Sequence, residues 1–114
     1  ERLLFLNNAL KALDIKGCAK LNKSGTYDLC DSKAYNKAKF SFAWGLWSDP
    51  AGGKEGKTPD ATQAIIGYKR FLELYNSDSA VSGNTNTTYY ASGRIASVAK
   101  QHAEARILAL GGAL

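Results

Sequence analysis

TPDATQAIIGYKRFLELY, residues 58–75, carries the strongest periodicity in the chain. Ala61, Ala64, Ile65, Tyr68, Phe71, Leu72 and Tyr75 recur at three- and four-residue spacings, which lays one apolar stripe along a helix. Thr58 is a suitable N-cap, Pro59 suits the first helical position, and Asp60 places negative charge on the positive end of the helix dipole. One amphipathic helix cannot bury its own stripe, so the remaining segments are expected to pack around it.

Working outward, SKAYNKAKFSFAWGLWSDP reads as a second helix that starts at Asp31 or Ser32 and ends at Asp49-Pro50. Tyr35, Ala38, Phe42 and Leu46 form one face. Phe40, Ala43, Trp44 and Trp47 form another, more apolar surface than one neighbouring helix covers. A rival reading uses the alternation of Phe40, Phe42, Trp44 and Leu46 with smaller residues, the pattern of a half-buried strand over 40–47. A lone strand needs a partner, and the one candidate, Thr85–Tyr90, is polar, so helix is the preferred reading.

At the ends, ERLLFLNNALKALDIKG reads as a helix with Leu3, Leu6, Leu10 and Leu13 on one side and Gly17 as its stop. The last helix is expected from Thr88 to Leu110, with Ile95, Val98, Ala99, His102, Ala105 and Ala109 inward and Gly111-Gly112 ending it. CAKLNKSGTYDLCDS, AGGKEGK (51–57) and NSDSAVSGNTNT (76–87) read as connections rich in turn formers. The expected fold is therefore all-α, a small four-helix up-and-down bundle formed by residues 1–114 as one domain. The alternative is α+β with the short strand at 40–47.

The chain has 114 residues, 45% hydrophobic and 22% charged, which suits a folded domain rather than a disordered segment. No apolar run approaches the ~18 residues of a membrane span. Net charge is +5, and residues 11–57 hold nine lysines against five acids, whereas residues 58–114 hold five basic and four acidic residues. The basic half could meet an acidic protein surface, nucleic acid or an anionic membrane. The sequence has no Met, even at position 1, so Glu1 is expected to follow a cleavage, by natural processing or by trimming. Processing would suit an exported or organelle-lumen protein. In that setting Cys18 and Cys30, at the two ends of one connection, would form a disulfide contributing ~3 kcal/mol.

Several motifs invite chemistry. AGGKEGKT, residues 51–58, resembles a phosphate-binding loop with Ala51 for its first glycine, Lys57 for phosphates and Thr58 for magnesium. Glu55 would sit among the phosphates and Pro59 removes an amide, so no nucleotide binding is expected. His102 is the only histidine. It has no adjacent nucleophile or metal-ligating partner and reads as a core or boundary residue. Asn22-Lys23-Ser24 and Asn86-Thr87-Thr88 fit the N-glycosylation pattern in expected loops. No catalytic residue, metal ligand or cofactor site emerges.

The expected function is a non-catalytic helical binding or assembly module. It would dock on a larger protein complex, such as a membrane complex with an acidic surface, through Lys33, Lys37, Lys39, Trp44 and Trp47. Trp anchors dominate interface energetics, and the same aromatic–basic mix could instead stack bases and pair phosphates in a small nucleic-acid-binding protein.

Overall fold

The computed structural model describes residues 19–21, 23, 27–29, 33–53, 56, 58–84 and 94–114. The expected first helix, both cysteines, Lys57, the residues around Lys23 and residues 85–93 with the second glycosylation tripeptide lie outside them. The described residues form a small helical bundle, as the periodicity implied. Strands β1 (Ala19–Leu21) and β2 (Tyr27–Leu29) are followed by helices α1 (Ala34–Ser48), α2 (Ala61–Ser77), the single-turn α3 (Ser79–Ser82) and α4 (Ala96–Ala109).

Helix α1 settles the competition over residues 40–47 in favour of helix. The alternation arises because two i,i+4 pairs interleave. Phe42 and Leu46 belong to the main core, while Phe40 and Trp44 are buried on another side. The helix begins at Ala34, with Lys33 in extended conformation at its N-cap, later than the expected start at Asp31 or Ser32.

Helix α2 runs antiparallel to α1. Its cap is Asp60, whose carboxylate accepts from the Gln63 amide at 3.1 Å, and Thr58 and Pro59 precede the helix. Thr58 is used elsewhere: its hydroxyl accepts from the Trp47 indole at 2.8 Å, and its amide donates to the Trp47 carbonyl at 3.1 Å. The helix also outlasts its expected end at Tyr75 and reaches Ser77. Asp78 then caps α3 by accepting from the Ala80 amide at 2.8 Å, so part of the segment expected as loop 76–87 is helical.

Helix α4 packs antiparallel on α2 with Ala96, Ala99, Ala103 and Ile107 inward. The expected inward face is corrected by this rotation: Val98 is 45% exposed, and Ala105 and Ala109 face solvent. Its first described helical residue is Ala96, well after Thr88, and Gly111 (φ +89°) supplies the left-handed residue that stops it. Three alanines toward α2 let the helices approach closely, and the core gathers Phe42, Leu46, Tyr68, Phe71, Val81 and Ile107 against them.

The segment around Tyr27, expected as a plain connection, contains a two-stranded antiparallel hairpin with Ala19 opposite Leu29 and Leu21 opposite Tyr27. Tyr27 is fully buried between Phe40 and Trp44, with ring centroids 5.0 and 4.9 Å away. Arg70 of α2 lies 4.7 Å from the Tyr27 ring centroid and donates a hydrogen bond to the Tyr27 carbonyl. Tyr27 thus covers Phe40 and Trp44 of the second apolar face of α1, the one that the sequence left open.

Candidate functional site

The five residues expected to meet a partner do not all share one surface: Trp44 is buried and Lys39 points away from Lys37. Lys33 is exposed, with its ammonium 5.8 Å from the Tyr35 ring. Lys37 lies one turn further along α1, whereas Lys39 is turned roughly 160° away from Lys37 by helix geometry. Trp44 is fully buried, and its indole donates to Gln63 Oε1 at 2.9 Å, which makes it a core residue beneath the hairpin. Trp47 is partly buried. Its hydrogen bond to Thr58 holds the ring at the far end of α1, about 15 Å along the axis from Lys37 and turned roughly 80°.

A second polar centre lies at the end of α1, where the sequence suggested only a helix stop. Asp49 is 1% exposed. Its carboxylate accepts from Arg106 Nε at 2.8 Å, Arg106 Nη2 at 3.0 Å, the Tyr68 hydroxyl at 2.8 Å and the Ala51 amide at 2.8 Å. Burial alone would raise the Asp49 carboxyl. The hydrogen bonds from Arg106, Ala51 and Tyr68, with the Arg106 charge, outweigh it and hold the group below the ordinary carboxylate range. Tyr68 moves the opposite way: burial first, then its bond to the Asp49 anion, push the phenol well above its ordinary value. With four donors on two oxygens, Asp49 has no lone pair left to take a proton from a substrate. The centre acts as a strut that ties the α1–α2 connection to α2 and α4.

His102 is partly buried beside this strut, with its ring 5.9 Å from those of both Phe42 and Tyr68. That is aromatic packing at the core boundary, as its sequence context suggested. Residues 51–58 follow a helix, not the strand that a phosphate-binding loop requires. Among the described residues no group of three His, Cys, Asp or Glu side chains could hold a metal, and no helix is long and apolar enough to cross a membrane.

Clefts bordered by the described residues indent the surface. A shallow one of about 390 Å³ runs between α2 and the C-terminal end of α4, bordered by Leu72, Ile107 and Leu114. Another, about 270 Å³, lies where β2 meets α1 and α2 and is bordered by Asp28, Lys37, Ser41, Arg70, Glu73 and Leu74. Near it is the Tyr27 hydroxyl, buried and without a hydrogen-bond partner among the described residues. Such an unpaired hydroxyl costs about 1–3 kcal/mol, so its persistence calls for an explanation. The chain matches no known family model, no curated protein sequence and no solved structure.

Proposed function

We propose that the protein is a non-catalytic helical binding module that docks on a larger protein with an acidic surface. The docking surface is the flank of α1 bearing Lys33, Lys37 and Trp47. The observation that supports this reading is the state of Trp47. Its indole N–H is already satisfied by Thr58, so the ring is held in one orientation while part of it still reaches solvent. A ring fixed before binding loses little further entropy on contact, which is what an anchor residue requires. Lys33 and Lys37 supply charge that would steer an acidic partner. The nucleic-acid reading is weaker, because base stacking would need Trp44, which the hairpin and α2 enclose.

The test is affinity capture of a partner from the source organism's extract, compared between the wild-type chain and Trp47→Ala. Loss of one well-packed indole anchor is expected to weaken binding by about 2 kcal/mol, or roughly 30-fold. The same partner should be retained at raised salt, whereas a phosphate-directed complex would dissociate steeply. Because Trp47→Ala also removes the bond to Thr58, its melting temperature is measured alongside. A large drop in stability with unchanged partner binding would assign Trp47 to the fold alone and end the proposal.

A further inference from the structure

The cleft of about 270 Å³ between β2, α1 and α2 combines features that, Lys37 apart, the docking reading leaves unused. Its rim carries two cations, Lys37 and Arg70, and two carboxylates, Asp28 and Glu73. The ion pairs among the described residues are Lys100–Glu104 and Arg106–Asp49, so these four charges form no direct ion pair with one another. Ser41 borders the cleft while being only 1% exposed, which places it at the bottom. Tyr27 lies close enough to Ser41 and Arg70 to feel both, but among the described residues its buried hydroxyl has no partner in hydrogen-bond geometry.

The donors and acceptors are also sorted. The Ser41 hydroxyl gives its proton to the Lys37 carbonyl at 2.7 Å and so offers the cleft lone pairs only. The guanidinium of Arg70 is oriented by its stacking on Tyr27 and by the bond from Nη1 to the Tyr27 carbonyl, and its other N–H groups remain available. The Tyr27 phenol has a proton to give. A solvated patch of mixed charge would explain the rim alone. It would not explain a buried tyrosine hydroxyl kept without a partner beside that rim.

We propose that this cleft binds a small zwitterion, of the class of a free amino acid with an apolar side chain. The carboxylate would meet Arg70 and Lys37, with the Tyr27 hydroxyl as a further donor beneath. The ammonium would meet Asp28, Glu73 and the Ser41 lone pairs, and the side chain would lie on Leu74. The volume suits one amino acid rather than a longer peptide. Lys37 borders both this cleft and the α1 flank proposed for docking, but the cleft does not use Trp47, and neither reading depends on the other.

The experiment is isothermal titration of the full chain with L-leucine. Two single-charge analogues, 4-methylpentanoate and 3-methylbutylamine, serve as comparisons. Saturable binding of L-leucine is expected, with each analogue weaker by about tenfold or more. Lys37→Gln and Glu73→Gln, both at the cleft rim, should each weaken L-leucine by a similar factor while leaving the circular dichroism melt in place. Tyr27→Phe should weaken binding without lowering the melting temperature, because the hydroxyl has no bond to lose in the free protein. Trp47→Ala should leave L-leucine binding unchanged. Absence of saturable binding by any free amino acid up to ~10 mM would overturn the proposal. Equal affinity for either analogue would overturn it as well, by reducing the cleft to a simple anion or cation site.

Discussion

Asp49→Ala is expected to destabilise the protein by about 3–5 kcal/mol, measured by urea denaturation near neutral pH. The figure follows from what the substitution leaves behind. The Arg106 charge and the Tyr68 hydroxyl would both face a space that no longer holds their acceptor, and the Ala51 amide would lose its own. Leaving a charge without its partner costs far more than the pair contributed while intact. The Arg106 side chain is 23% exposed, so water can recover part of the loss, and the lower end of the range is expected. That is still a large share of the ~5–15 kcal/mol by which domains of this kind are stable.

The same carboxylate fixes the acid limb of the stability profile. Its folded pKa lies below its unfolded value of about 3.9, so its contribution is complete above that value and is lost as the pH falls through the folded one. Tyr68 and Tyr27 have raised folded values, both pushed up chiefly by burial. Their contribution holds below about pH 10 and declines above it. Stability should therefore fall at both extremes. Asp49→Ala should flatten the acid limb, and Tyr68→Phe should shrink the alkaline one. An acid limb unchanged in Asp49→Ala would mean that other carboxylates govern acid unfolding.

What the sequence could show depended on how far each feature's cause lay along the chain. Helix α2 was legible because its stripe is local, and the structure buries Ala64, Tyr68 and Phe71 of that stripe. Helix α1 was legible as a helix only because the rival strand lacked a partner. The fate of its second face was not, since Trp44 is covered by Tyr27, seventeen residues earlier, in three-residue strands too short to carry alternation. The Asp49 centre was hidden for the same reason: its partners are separated from it by 19 and 57 positions. Capping failed more subtly. Thr58 has the chemistry of an N-cap, but Trp47 claims its hydroxyl, and Asp60 two residues on takes the role. In α4 an alanine-rich sequence offers several faces of similar hydrophobicity, so periodicity alone could not place Val98 outside and Ala103 inside.

Gly67→Ala should reverse the usual sign of a glycine-to-alanine change in a helix. At an unconstrained helical position the added methyl stabilises by up to about 1 kcal/mol, because alanine loses less backbone entropy. Gly67 sits where α2 crosses α1, and a Cβ there would lie 2.5 Å from the Gly45 nitrogen, 2.7 Å from the Ser41 carbonyl oxygen and 2.9 Å from the Gly45 Cα. All three are backbone atoms of α1, so no side chain can turn aside to make room. The helices would have to separate, loosening the contacts of Phe42 with Tyr68 and Phe71. Overpacking of this kind costs about 1–3 kcal/mol and occasionally more, and the upper end is expected against rigid backbone. Gly45→Ala presents the complementary case, since its Cβ would lie 2.5 Å from Tyr68 Cδ1. That ring is held by its bond to Asp49, so the cost should again be large, but it should shrink in a Tyr68→Leu background. No such relief is available to Gly67→Ala. Ala105→Gly, at an exposed position of α4, calibrates the propensity term and should lose about 1 kcal/mol. If Gly67→Ala proved neutral or stabilising on that scale, the two helices could not approach as closely as these distances require.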